Sequence, residues 1–102
     1  MLTYAPPTTA DLAALKHTLG YTGEQMADLA AVAGGQQWRK YTGGVAPRTL
    51  GVHMAFFMAA RLVLTGQELH KVTEKMRAIG CEVQDITAPA LTQPSPTGTQ
   101  AR

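Results

Sequence analysis

Glycines and prolines divide this chain of 102 residues into short segments, and that division limits what it can fold into. Within the segments, apolar residues recur at intervals of three and four, the spacing of amphipathic helices. Leu12, Leu15 and Leu19, for example, precede a helix-ending Gly20. A chain punctuated in this way buries its apolar faces by packing several short helices together, so we predict an all-α domain of four to five helices.

Threonines mark the starts of the first two predicted helices. Thr8 or Thr9 is placed to cap a helix that carries Asp11 in its first turn, where the helix dipole favours an acid. Thr22 is followed three residues later by Gln25, which is the spacing of a capping box. The second helix is therefore predicted to be short, about two turns long. Its apolar stripe consists of Met26, Leu29 and Ala30.

The stretch GGQQWRKYTGG at 34–44 sets two aromatic residues and two cations between pairs of glycines. A phosphate-binding loop would need the glycine spacing of a P-loop or of a dinucleotide-binding turn after a strand, and neither occurs here. A plain surface turn is one alternative. We favour a short helix over 35–42, in which Trp38 and Tyr41 share one packed face. Stacking of the two rings on nucleobases is the alternative use of this pair.

The longest helix is predicted beyond Pro47, over residues 48–65. Its apolar residues cover most of the circumference, which is typical of a helix buried on more than one side or of a dimer interface. A more polar helix follows at 67–79, and Gly80 is placed to end it in the left-handed conformation. Alternating apolar residues at 81–86 predict one strand, for which pairing with the same strand of a partner subunit is one solution.

Acidic residues are missing from the middle of the chain. No Asp or Glu lies between Leu29 and Gln67, although the net charge of the whole chain is only +2. The four cations of this segment are Arg39, Lys40, Arg48 and Arg61. Such a charge asymmetry indicates an anionic partner. Arg61 differs from the other three because it lies within an apolar stripe, so we expect it to form an internal or interface salt bridge.

Two short helices joined by a tight connection form the helix-turn-helix arrangement, whose second helix enters the major groove of DNA. That helix must be held from behind and must carry donors for base edges and phosphates on its outer side. Gln reads adenine, whereas Arg and Lys read guanine or hold phosphate. We therefore expect base contacts from Gln36, Gln37, Arg39 and Lys40, and phosphate contacts from Gly35, Thr42 and Arg48. Arg48 is alternatively a solvated residue in the first turn of the next helix.

Residues 11–64 resemble the lambda-repressor-like (Cro/Xre) helix-turn-helix family, whose second helix and turn often read T-Q-x-x-L-A-x-x-x-G-V-S. This chain reads T-G-E-Q-M-A-D-L-A-A-V-A at 22–33, where Ala27 is the small residue that lets two helices cross closely. The stretch W-R-K-Y-T-G-G at 38–44, followed by Pro47, is similar to the recognition helix of a subgroup common in phages and mobile elements. The resemblance implies a homodimer that binds a palindromic operator in double-stranded DNA and regulates transcription as a repressor or an activator. Of these two we favour a repressor.

The chain differs from the family pattern at the helix pair. Gly23 stands where the family has Gln beside the capping Thr. Ala31 and Ala33 replace the glycine and serine of the turn, and the connection before Trp38 is one residue longer. These differences and the modest net charge favour an alternative function, a protein–protein interaction module that uses the same scaffold without DNA. The apolar helix at 48–65 would then be its binding surface.

The chain length indicates one domain with attached ends. We predict a flexible arm at 1–7 and the helix-turn-helix domain at 8–66. Residues 67–86 supply the last helix and the possible strand, and are the candidate for dimerisation. A tail rich in Pro, Thr and Gln at 87–102 is predicted to be disordered.

Several other classes of protein are excluded by composition and spacing. A single cysteine, Cys81, allows no disulfide within the chain, and the N-terminus has no signal-peptide pattern, so we expect a cytoplasmic protein. The longest uncharged apolar run, 49–60, is too short to span a bilayer, so no membrane partner is expected. No zinc-site spacing or catalytic constellation occurs, and we predict no enzyme activity, metal, cofactor or small-molecule substrate. The three histidines, His17, His53 and His70, lie 36 and 17 residues apart along the chain, which is not the spacing of a zinc site.

Overall fold

The computed structural model describes residues 1–89, and that part of the chain contains five helices and no strand. The predicted all-α class with four to five helices is therefore confirmed. The helices are α1 (Thr9–Leu19), α2 (Gly23–Ala30), α3 (Gly35–Thr42), α4 (Val52–Val63) and α5 (Gly66–Ile79). None of the helices within residues 1–89 is both long enough and apolar enough to cross a membrane.

Three of the five helices begin with the same capping device. The hydroxyl of Thr8 accepts from the backbone N–H of Asp11, whose carboxylate accepts in return from the Thr8 N–H. Thr22 and Gln25 form the predicted box at the start of α2. Thr65 and Glu68 form a third box, which starts α5 at Gly66, one residue before the predicted helix at 67–79.

The core forms around α2, which packs on α3 and on α4, while α1 packs on α3. Met26 and Leu29 of α2 are fully buried, and Trp38 of α3 is 1% exposed. Burial of a side chain of this size stabilises a fold by about 1.5–3 kcal/mol. The indole N–H of Trp38 has no hydrogen-bond partner within residues 1–89, so its contribution there is apolar packing. These contacts hold α3 from behind, as a reading helix requires.

Residues 31–34 connect α2 to α3, and the turn is made by an alanine. Ala31 adopts the left-handed conformation at φ 59° and ψ 38°, which a side chain disfavours. Its N–H and that of Val32 donate to the carbonyls of Asp28 and Ala27, so the end of α2 is still capped. Gly34 then starts α3 as its N-cap, in extended backbone.

Helix α4 is shorter than the predicted helix at 48–65, because residues 43–51 are not helical. The backbone N–H of Arg48 donates to the carbonyl of Lys40 over 2.7 Å, and this bond holds the segment beside the C-terminal half of α3. Gly51 is the N-cap of α4. Arg48 therefore belongs to the connection after α3 and does not lie in the first turn of α4.

The predicted strand at 81–86 is wrong for the described chain. Gly80 ends α5 at φ 121°, outside the left-handed helical region that was predicted for it, and the following segment turns back along α5. The Arg77 guanidinium donates to the Val83 carbonyl, and the Ile86 N–H donates to the Thr73 hydroxyl over 3.0 Å. Side chains of α5 thus satisfy backbone groups that a neighbouring strand would otherwise have paired.

Arg61 joins three parts of the fold and confirms the internal salt bridge expected for it. Its guanidinium donates to the carbonyls of Asp28 and Leu29 at the end of α2 and to the Thr87 carbonyl. The Asp28 carboxylate lies 3.5 Å away, and the guanidinium stands over the Phe57 ring at 5.7 Å. The side chain of Arg61 is 9% exposed.

The two ends of the chain differ in what the structure describes. In the N-terminal arm, predicted at 1–7, the Tyr4 hydroxyl donates to the Leu50 carbonyl over 2.7 Å. Of the predicted tail at 87–102, residues 90–102 lie outside the described part of the chain.

Candidate nucleic-acid interface

Helix α3 has one buried side and one exposed side. Trp38 lies under the helix, and Tyr41 packs beside it with the two ring centroids 6.3 Å apart. The exposed side carries Gln36, Arg39 and Lys40. Because the two aromatic residues fix the rotation of the helix, these three side chains point away from the core. The structure thus brings together three of the four residues predicted to contact bases.

Three other residues of the predicted set are less accessible. Gln37 and Thr42 are half-buried, and they flank the exposed side of α3 rather than lying at its centre. Gly35, which was predicted to contact a phosphate, is buried. Its backbone N–H is hydrogen-bonded to a carboxylate of α2.

Glu24 reaches from the first turn of α2 to the start of α3. Its Oε2 accepts from the backbone N–H of Gly35 over 2.9 Å, and supplies the side-chain cap that Gly34 lacks. A Cβ at position 35 would lie 2.8 Å from this oxygen, so a side chain there would displace the carboxylate. Negative charge at a helix N-terminus is favourable. The N–H that a phosphate would have bound is already bonded to Glu24.

The Arg39 guanidinium lies beside the same junction. Its Nη1 would be 3.5 Å from a Cβ at Gly35 and 4.0 Å from one at Gly23. The glycine at position 23, where the resembling family has Gln, therefore lies next to the guanidinium, and a Cβ there would be in van der Waals contact with it.

Arg48 is brought close to α3 by its backbone. The hydrogen bond from its N–H to the Lys40 carbonyl fixes the chain after α3 beside the last turn of that helix. Arg48 itself is exposed. Three cations of the acid-free segment, Arg39, Lys40 and Arg48, are thus on the surface, whereas Arg61 is turned inward and paired.

A groove of about 370 Å³ lies between α1, the start of α2 and α3. Lys16 of α1 and Arg39 of α3 stand on its walls, and Thr42 and Gly23 complete the side near the two helix ends. Two cations beside the N-terminal end of a helix favour an anion. Lys16 was not among the predicted contact residues, because sequence periodicity placed it only on α1.

A second group of polar side chains lies far from α3 along the chain, where α5 meets the segment 81–87. His70, Glu74 and Asp85 bring possible ligand atoms within 4.8 Å of one another, and all three are exposed. The Arg77 guanidinium binds both acids, at 2.7 Å from Glu74 and 3.0 Å from Asp85. Its positive charge opposes a metal cation at this place.

Hydrogen bonds shift the pKa values of Asp85 and Arg77. The His70 ring, 3.2 Å from Asp85, and then the Arg77 guanidinium lower the pKa of the Asp85 carboxyl below its usual value. The hydrogen bond to Glu74, and then the one to Asp85, raise the pKa of Arg77. These four side chains hold the segment 81–87 against α5. That structural role explains why they lie together without a bound ion.

Two residues of the candidate interface were missed by sequence reasoning. Glu24 caps a helix that begins eleven residues later in the chain, and no local pattern gives a contact of that range. The signal for Lys16 was weak as well, since a single cation on a helix is usually a solvated residue. Both contacts depend on how α1, α2 and α3 pack.

Comparisons with protein-family models, with curated proteins and with solved structures found no match to this chain. What the protein does has to be inferred from its own geometry and charge.

Proposed function

We propose that this protein is a sequence-specific double-stranded-DNA-binding regulator of transcription that places α3 in the major groove. One observation carries the proposal: Gln36, Arg39 and Lys40 stand exposed on one side of a short helix whose other side is fixed by a buried Trp38. A helix held in this way can enter the groove without rotating. Its exposed side chains are of the types that read base edges.

The exposed side of α3 offers two kinds of base contact. Gln36 can pair with adenine through N6 and N7, and Arg39 or Lys40 can donate to O6 and N7 of guanine. Gln37, being half-buried, would contribute from the flank. We therefore assign the largest share of sequence preference to Gln36 and Arg39.

Phosphate contacts would surround this reading surface. Arg48 follows α3 and is held beside its last turn, and Thr42 and Lys16 line the groove between α1 and α3. Gly35 would allow close approach of the backbone, while its N–H stays bonded to Glu24. Cations in these positions bind phosphates regardless of sequence and give affinity that depends on salt.

The resemblance to the lambda-repressor-like family extends the proposal to a homodimer acting on a palindromic operator, as a repressor. Two copies related by a twofold axis would place their α3 helices in successive major grooves. Half-sites are then expected one helical turn of DNA apart, about 34–36 Å.

The proposal is tested by fluorescence anisotropy with the full chain, first on random genomic fragments at low salt and then on duplexes selected from a randomised pool. Arg39→Ala is expected to weaken binding to the selected duplex by about 1–3 kcal/mol and to relax its sequence preference. Arg48→Ala should weaken binding to all duplexes alike and reduce the salt slope by about 1. Lys75→Ala, an exposed cation on α5, is the matched control and should change neither.

Absence of binding to any duplex at low salt would contradict the proposal, because non-specific affinity is greatest there. Equal losses from Lys75→Ala and Arg39→Ala would show that charge alone binds DNA and that α3 is not the reading helix.

A second candidate function is supported by the apolar outer side of α4, where Phe56 is 75% exposed. On this alternative the chain is a protein–protein interaction module that uses the same scaffold without DNA. The low-salt measurement separates the two functions, because a module of that kind would bind no duplex.

A further inference from the structure

Helix α4 presents an uncharged apolar face to solvent. Phe56 and Val63 are 75% and 77% exposed, and the exposed Ala59 lies between them. These positions follow one another at intervals of three and four residues, so they share one side of the helix. Arg61 is the only Lys, Arg, Asp or Glu in α4, and it is turned inward. A continuous exposed apolar surface of this kind marks an interaction site.

An apolar groove of about 280 Å³ runs beside this face, between α1 and α4. Leu12 and Leu15 form its α1 wall, and Ala59 and Leu62 belong to its α4 wall. An apolar cavity of about 150 Å³ is large enough for a benzene ring, so this groove can hold an aromatic side chain. Phe56 does not line the groove of its own chain.

We propose that the outer face of α4 is covered by a second copy of this chain, with Phe56 of each copy inserted into the α1–α4 groove of the other. A twofold interface brings one surface against itself, so a protruding ring and a receiving groove on the same face satisfy each other twice. The small Ala59 between them lets the two α4 helices approach closely. The inference supplies the surface for the proposed homodimer and does not depend on DNA.

Charge favours a second copy over other occupants of this face. His53 is the one exposed titratable side chain of α4, and no Lys, Arg, Asp or Glu of the helix faces outward. Two α4 helices therefore meet without repulsion between such side chains, and no Lys or Arg on the face attracts a nucleic acid. Asp11, the one charged residue that lines the groove, is held at the start of α1 by the Thr8 N–H. No residue of α3 lines the groove, so the proposed contact does not use Gln36, Arg39 or Lys40.

The first test is sedimentation equilibrium of the full chain without DNA, over a wide range of protein concentration. Wild type is expected to form a dimer. Phe56→Glu should raise the dissociation constant of the dimer roughly a hundredfold or more, because an interface anchor is lost from both sides. Ile79→Glu is the matched control, since Ile79 is 73% exposed on α5, the helix first considered for dimerisation. Thermal unfolding of each variant shows whether it folds.

The second test needs no disruptive substitution. In a Cys81→Ser background, Ala59→Cys should form a disulfide-linked dimer on mild oxidation, because a disulfide requires Cα atoms within about 7 Å. Ala78→Cys, an exposed alanine on α5, should not. A monomeric wild type, a dimer broken by Ile79→Glu but kept by Phe56→Glu, or faster cross-linking at position 78 would each overturn the inference.

The outcomes separate this inference from the proposed function. A monomer that still binds selected duplexes would refute the α4 interface and leave DNA binding in place. A dimer that binds no duplex would establish the interface and refute DNA binding.

Discussion

The α2–α3 pair and the segment after α5 are held in opposite ways. Helix α3 is fixed by large buried side chains, with Trp38 1% exposed against a fully buried Met26. Residues 81–87 are fixed by polar contacts at or near the surface, including the bonds from Arg77 to the Val83 carbonyl and from the Ile86 N–H to Thr73. The first region depends on apolar burial and the second on hydrogen bonds and charge.

The difference predicts two kinds of stability in one small domain. Apolar packing of α3 on α2 does not change with pH or salt over the physiological range, so the candidate reading surface should open only when the whole domain unfolds. Surface ion pairs contribute little and are screened by salt. The segment 81–87 should therefore detach before the core does.

The largest effect is expected from the anchor of α3. Trp38→Ala removes a fully buried aromatic side chain and should lower the free energy of unfolding by about 3–5 kcal/mol. Urea denaturation followed by circular dichroism measures this loss. Val45→Ala, at a fully exposed residue in the loop after α3, is the control and should change little. A loss below about 1 kcal/mol for Trp38→Ala would mean that α3 is not held by this contact.

Arg61→Met tests the junction between the two regions. The substitution keeps much of the bulk but leaves the carbonyls of Asp28, Leu29 and Thr87 without their donor, at an expected cost of about 1–3 kcal/mol. Hydrogen exchange of the Ile86 amide should become faster as well. If stability fell while that exchange stayed unchanged, Arg61 would support α2 without holding the C-terminal segment.

Ala31→Gly should act in the opposite direction. Because Ala31 adopts φ 59°, a glycine there relieves strain of roughly 1–2 kcal/mol, and the greater freedom of the unfolded chain offsets about 0.4–1 kcal/mol of the gain. A net stabilisation of up to about 1.6 kcal/mol is expected from the same urea measurement. Ala33→Gly, in the same connection but without a positive φ, is the control and should not stabilise. Equal changes from both variants would refute strain at Ala31.

The smallest effect is expected at Asp85. Its pKa is lowered in the folded protein by His70 and Arg77, with Glu74 sharing the same guanidinium. A lowered carboxyl pKa contributes stability above the ordinary pKa of the group, and that contribution disappears as the pH falls through the folded value. Acidification should therefore loosen the segment 81–87 while α3 stays in place.

Asp85→Asn should remove this pH dependence. The measurement is an NMR titration of the Ile86 amide in wild type and variant, with the Trp38 indole as reporter of the core. Glu82→Gln changes an exposed acid of the same segment and serves as control. An unchanged Ile86 titration in Asp85→Asn would show that another group holds the segment.

Much of the fold was predictable because its signals are local. The cap at Thr8, the capping box at Thr22 and the apolar stripes require only neighbouring residues, and both caps form as expected. The reciprocal bond from Asp11 to Thr8 was not predicted. The strand at 81–86 failed because weak alternation does not reveal that side chains of α5 will take up the backbone groups. Helix α4 starts later than predicted because the Arg48 N–H is used by the Lys40 carbonyl.

The candidate site was only partly predictable from the sequence. The buried Trp38 and the exposed Gln36, Arg39 and Lys40 follow from the period of a short helix. The bond between Glu24 and Gly35 joins residues of different helices, and it depends on the packing of α2 on α3. The fold also changes the local charge at this site. It brings Glu24 next to Arg39, although the segment of the chain that contains Arg39 has no acidic residue.

The three-way contact of Arg61 gives a rule for recognising relatives of this chain. A lysine offers a single ammonium group in place of a planar fork, so it cannot donate to the end of α2 and to the Thr87 carbonyl with the same geometry. Relatives whose chain turns back after α5 should therefore keep arginine at this position, and those that have lost it should diverge freely after residue 80. The residue at position 61 would then predict, from sequence alone, whether the chain of a relative folds back along α5.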